Sequence, residues 1–135
     1  MSFDLAFWYE SEPSSPERAA QIYYQLMDGK EGIVERHPAL GEFYQEVIAT
    51  YNDLTENMSD EDADAAPWTA QVYYNQECVA TPIKWSRCQE VAPALVAIAA
   101  RHGITSYDPQ DRVIYYPSGS SAQGSGDEEY GDVEE

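Results

Sequence analysis

Residues 84–117 read KWSRCQEVAPALVAIAARHGITSYDPQDRVIYYP, and their order decides the fold. Ala92, Leu95, Val96, Ala99 and Ala100 recur at helical spacing, which gives a helix with one apolar face. His102 and Gly103 stop it, Asp108-Pro109-Gln110 turns the chain, and Val113-Ile114-Tyr115-Tyr116 follows as an apolar strand. The unit is helix, stop, turn and strand, so the other segments are read as partners for that strand or neighbours for that helix. Ser86 is the expected cap, with Gln89 three residues on as in a capping box. Pro93 lies inside the helix. It is expected to kink the helix or shift its effective start, because proline has no amide donor and clashes with the preceding turn.

Working back toward the N-terminus, Val79, Thr81 and Ile83 alternate as a strand ending near Lys84-Trp85, and Pro82 predicts an edge or a bulge there. Ala70, Val72 and Tyr74 alternate against Gln71 and Tyr73 in the strand before it, with a turn at 75–77. Residues 3–8 place Phe3, Leu5 and Phe7 on one side of an extended segment and Asp4, Ala6 and Trp8 on the other. Ser15-Pro16-Glu17 supplies an N-cap, a proline at the first helical position and a first-turn acid. The helix that follows buries Ala19, Ile22, Tyr23 and Leu26, and Gly29 closes it as a left-handed cap. Residues 30–37 read as a connection. Pro38 opens another helix whose apolar face is Leu40, Phe43, Val47, Ile48 and Tyr51. Over 52–66 the apolar period disappears, and Asp60, Glu61, Asp62 and Asp64 read as a solvated loop or as a contact surface for a cationic partner.

The sequence therefore predicts an α+β domain over 1–117. Its four-stranded, mainly antiparallel sheet carries helices on one face, in split βαβ (ferredoxin-like) order. An alternative closure pairs 105–107 with 113–115 as a small hairpin or places the last strand elsewhere in the sheet. Residues 118–135 hold six acids, no base and little apolar surface, which predicts a disordered acidic tail. With helices on one side, the other face of the sheet is expected to meet water. Trp8, Tyr73 and Trp85 would form an aromatic surface there, bordered by acids.

Charge narrows the function. With 25 acids against 7 bases the net charge is −18, which repels nucleic acid and anionic membrane and favours a basic protein as partner. No apolar run approaches a membrane span, and the opening Met1-Ser2-Phe3-Asp4 has neither the basic region nor the apolar core of a signal peptide, so the expected location is cytoplasmic. Cys78 and Cys88 are too far apart for a CxxC site and read as reduced thiols. His37 and His102 stand outside any HExxH or cysteine cluster, and no GxSxG turn is present. Pairs of acids occur by chance in so acidic a chain. Hence no catalytic residue, metal or cofactor is expected. The 11 tyrosines and 3 tryptophans carry more weight, as core packing or as interface anchors. The candidate partner-binding residues are Asp60, Glu61, Asp62, Asp64, Trp68, Tyr73, Trp8 and Trp85, with Trp68 read either as an exposed anchor or as a core plug.

The opening MSFDLAFW, the pair Pro67-Trp68, and the run from Trp85-Ser86-Arg87 through Arg101-His102-Gly103-Ile104 to Tyr107-Asp108-Pro109-Gln110 carry a resemblance. They are similar to a group of small, acidic, mostly uncharacterised bacterial proteins, some of which resemble immunity proteins of polymorphic toxin systems. The likeness covers about 1–117. It implies a cytoplasmic antidote that binds the catalytic domain of a cognate toxin and blocks it, and it carries over no catalytic residue. The alternative is an acidic nucleic-acid mimic that occupies a DNA- or RNA-binding protein. A small enzyme, the third reading, requires a deep pocket with inward polar groups.

Overall fold

A computed structural model describes residues 2–55 and 58–124. The described residues form an α+β structure around an antiparallel sheet. Its strands are β1 (Ser2–Trp8), β2 (Tyr73–Tyr74), β3 (Val79–Lys84), β4 (Thr105–Asp108), β5 (Val113–Tyr115) and β6 (Ser121–Gln123). Their order is β2-β3-β1-β4-β5-β6, so the sheet has six strands rather than the four expected. β1 lies between β3 and β4, with Leu5 opposite Thr81 on one side and Ala6 opposite Tyr107 on the other. The open alternative of a hairpin is the one found: β4 pairs β5 antiparallel, Tyr107 opposite Ile114.

The alternation of β1 divides the core into two layers. Leu5 and Phe7 join Ile83 and Ile104 beneath α2 (Pro38–Thr50) and α4 (Cys88–Arg101), which contribute Leu40, Phe43, Val47, Val91, Leu95 and Ile98. The Phe7 and Phe43 rings are 4.7 Å apart. Ala6 and Trp8 point the other way and join Tyr107 and Ile114 beneath α1 (Pro16–Met27), which buries Ala19, Ala20, Ile22 and Leu26. Helices thus cover both faces, and the expected open face is closed. The reason is local: α1 has an apolar stripe of its own, and the Ala6, Trp8 and Tyr107 side of the sheet is the surface that removes it from water.

The helix starts follow the sequence signals at α1 and α2. Ser15 Oγ accepts from Arg18 N at 3.1 Å, and Gly29 is left-handed at φ +84°. His37 caps α2, its Nδ1 accepting from Ala39 N at 3.0 Å while its ring stacks on Tyr9 at 4.0 Å. The start of α4 differs. Ser86, the expected cap, lies inside a 3-10 turn over Trp85–Arg87, and α4 then begins at Cys88 with no side-chain cap and runs through Pro93. The acidic stretch expected as a loop contains α3 (Asp60–Ala65), because Ser59 Oγ accepts from Asp62 N at 3.1 Å and three acids occupy the first turn, where the helix dipole favours them.

At Pro82 the carbonyl accepts from Thr69 N at 2.9 Å. The side of β3 that lacks a donor therefore faces away from β1, where β2 is too short to reach. Order also extends past Pro117. Tyr116 N donates to Ser120 O, Gly119 turns at φ +101°, and Ser121–Gln123 pair with β5, satisfying an edge that would otherwise be bare. The rest of the expected tail, 125–135, lies outside the described residues.

A buried carboxylate, Glu77, helps to hold residues 29–36. Glu77 accepts from Gly32 N at 2.9 Å and Ile33 N at 3.1 Å, with Arg36 at 3.7 Å. Burial pushes its carboxyl up, but the amides of Gly32, Ile33 and Val34 together with Arg36 overcome this and leave it below the ordinary 4.5. A lowered folded-state value means stability that is fully present above pH 4.5 and is lost as the pH falls through the folded value.

Two outcomes follow for stability. Glu77→Gln is expected to cost roughly 2 kcal/mol at pH 7, and chemical denaturation repeated at falling pH should show the gap between variant and parent closing below pH 4.5. Leu95→Asp puts a charge at a fully buried position facing the sheet and should cost more than about 4 kcal/mol; an unchanged circular-dichroism melt would reject this helix face.

Candidate functional site

The tryptophans that sequence reading offered as anchors separate by burial. Trp8 is wholly buried under α1, with Nε1 donating to Glu10 at 3.0 Å. Trp68 is 1% exposed; Lys84 N donates to Pro67 O and Thr69 N to Pro82 O, which pins it against Ile83. Its indole N–H donates to Asn52 O at 3.0 Å. Trp68 is therefore the core plug, and neither it nor Trp8 can touch a partner in the folded chain. Trp85, by contrast, is 50% exposed and leans on Phe3, ring centres 5.7 Å apart.

The acids expected as a contact surface lie on α3, which is tied to the residues flanking Trp85. Asp60, Glu61, Asp62 and Asp64 are all exposed. The C-terminal carbonyls of α3 are held by the segment that presents Trp85: Lys84 Nζ donates to Ala63 O at 3.2 Å and Asp64 O at 2.9 Å, and Arg87 donates to Ala65 O at 3.1 Å. Two of the chain's few cations are thus spent on capping a helix, leaving the four acids facing solvent. Tyr73 is exposed too, at 48%, but lies elsewhere. It pairs with Ala80, four residues back along β3 from Lys84, next to Tyr74, which stacks on Tyr44 at 4.5 Å.

Sequence reading missed a second feature, an apolar groove of about 620 Å³ between α4 and the strands β4 and β5. Val91, Leu95, Ile98 and Ala99 of α4 point into the core, while Ala92, Pro93, Val96, Ala97 and Ala100 form its flank and one wall of the groove. Tyr115 stands opposite and Phe3 lies at the end where β1 begins. The groove exists because α2 packs on the other side of α4, while α1 covers β5 only from the opposite face. Tyr107 and Ile114 point to α1, so alternation sends Asp108 and Tyr115 toward the groove.

Asp108 is 4% exposed. Its Oδ1 accepts from Gln110 N at 2.8 Å, Asp111 N at 3.3 Å and Gln110 Nε2; among the described residues nothing donates to Oδ2. Burial raises its carboxyl above the ordinary range against these hydrogen bonds, and the charge of Asp111 adds to the rise. Tyr115 is raised as well, by burial and then by Asp108 and Asp111. Cys88, half-buried, lies in the same wall, whereas Cys78 is fully buried and its thiol is pushed up to about 11. The traces of the groove in the sequence are the small residues on the flank of α4, which read there as core.

Among the described residues no group of three His, Cys, Asp or Glu side chains is placed to hold a metal ion, and no helix is long and apolar enough to cross a membrane. Comparison with models of protein families, with curated proteins and with solved structures gives no match.

The two surviving tryptophan roles are separable by experiment. Trp68→Ala should lower stability by about 3–5 kcal/mol, while Trp85→Ala should leave the thermal midpoint within a few degrees. Thermal melts of both variants check the assignment; equal losses would put Trp85 in the core.

Proposed function

We propose that this chain is an inhibitory binding protein, a cytoplasmic antidote that neutralises a basic toxin domain by covering its active site. One observation carries the reading: an exposed indole, Trp85, is braced by Phe3, and its neighbours Lys84 and Arg87 are hydrogen-bonded to a helix that presents four acids to solvent. A rigid aromatic beside a charged rim has the layout of a binding hot spot. The net charge of −18 suits a basic partner. An acid-bearing helix tied to the segment that carries an exposed indole suits an antidote better than a nucleic-acid mimic, which needs no aromatic anchor. We also read the β4-β1-β3-β2 part of the sheet, with α2 connecting β1 to β2 and α4 connecting β3 to β4, as the split βαβ (ferredoxin-like) arrangement, extended by β5 and β6.

The test is kinetic, against the purified product of the adjacent gene. Charged rims mainly quicken encounter, and buried anchors mainly slow dissociation. Reversing Asp60, Glu61, Asp62 and Asp64 to Lys should lower the association rate roughly tenfold at low salt and flatten its salt dependence. Trp85→Ala should instead raise the dissociation rate by about 30-fold, a loss of about 2 kcal/mol. No binding at micromolar concentration, or a four-lysine variant that associates as fast as the parent, would reject the proposal.

A further inference from the structure

We infer that the groove between α4 and β5 is a binding site for a small amphiphilic cation, a molecule with an apolar body and a protonated amine at one end. This rests on the groove and Asp108, shares only Phe3 with the Trp85 and α3 surface, and is tested separately from it. The volume of about 620 Å³ lies in the range of sites that enclose a single small ligand. Ala92, Val96, Ala97, Leu5 and Phe3 give apolar walls, and the small alanines leave the space open.

Charge chooses the head group. The charged residues of the lining are Asp108 and Asp111, with no Lys, Arg or His among them. Among the described residues the hydrogen bonds to the Asp108 carboxylate fall on Oδ1, so Oδ2 is the acceptor left for a ligand. A buried carboxylate lacking a cation is costly, and an ammonium group placed at Oδ2 would supply a charge-assisted hydrogen bond. Asp108 and Phe3 share one end of the groove, because Gln110, two residues beyond Asp108, brackets Asp4 through both its backbone N–H and its C=O. The amine therefore belongs at that end and the apolar body along α4 toward Ala100. An anionic amphiphile would meet two carboxylates there and a chain of net charge −18.

Cys88 provides a readout, since it lines the groove while Cys78 is sealed in the core. The rate of Cys88 alkylation by N-ethylmaleimide is measured in the full chain with decylamine, decanol or decanoate below their micellar concentrations. Decylamine should protect Cys88 saturably, at one molecule per chain and about tenfold more tightly than decanol, as expected for one hydrogen bond to a charged group; decanoate should not protect. Asp108→Asn, which keeps an acceptor for the turn, should remove the preference for the amine, as should Asp111→Asn in smaller measure. Ala92→Phe should abolish protection by filling the groove. Reversing the α3 acids to Lys should leave protection unchanged, which separates this site from the proposed interface.

Protection that follows the α3 charges, or that survives in Asp108→Asn, Asp111→Asn and Ala92→Phe alike, would mean surface adsorption and overturn the proposal. So would Cys88 protection that grows with protein concentration alone, together with a dimer by light scattering. That outcome would give the groove to a second copy of the chain.

Discussion

Burial of both faces of β1 is the constraint on which the remaining structure depends. Leu5 and Phe7 face α2 and α4, and Ala6 and Trp8 face α1, all of them at most 1% exposed. A strand enclosed in this way must also have its backbone satisfied on both edges, and β3 and β4 do this along most of its length. Near its start, where β4 gives way to Pro109, the side chain of Gln110 takes over and pairs with both backbone groups of Asp4. Everything else is arranged relative to this strand. The helix α4 connects β3 and β4 across it, and the two core layers share it.

The placement of charge follows from the same economy of cations. With 7 bases in the chain, several serve structure. Lys84 and Arg87 hold the end of α3, Arg101 and His102 meet Glu46 across α2 and α4, and Arg36 meets Glu77. Acids in these contacts are stabilised as carboxylates: the His102 side chain, with Arg101, holds Glu46 below the ordinary range. Most other acids among the described residues face water. The protein is consequently a strongly negative surface over a conventional core, and a field of this kind bears on association rates rather than on the fold.

Two surface features break the pattern. Trp85 is a large ring left half in water where the chain turns from β3 into α4, and the groove beside α4 is apolar yet ends on a buried carboxylate. Both arise from the edges of α4's packing. Its first residues are preceded by a tight 3-10 turn that throws Trp85 outward, and its alanine-rich flank is too small to fill the space up to Tyr115.

How much of this was legible in the sequence depends on the range of the interaction concerned. Period-two alternation in residues 3–8 and 79–84, the Ser15-Pro16 start of α1, the left-handed Gly29 and the Pro38 start of α2 are local properties, and side-chain order along the chain determined them by itself. The burial of Val79, Thr81 and Ile83 on one side of β3 is an example. Which face of the sheet would be covered, and by which helix, is a matter of long-range packing. Trp8 and Trp85 are the same residue type in similarly mixed surroundings, yet one is sealed and the other exposed, because α1 crosses over the first and nothing described crosses over the second. The same holds for Trp68, whose burial depends on a bridge to Ile83, and for the groove, a space between elements that no single stretch encodes. Sequence determined most of the helices and strands, though not α3 or β6, and that the chain is acidic. The tertiary structure decided which aromatic rings and which carboxylates are free to meet anything else, since exposure is a property of the packed neighbours and not of the residue.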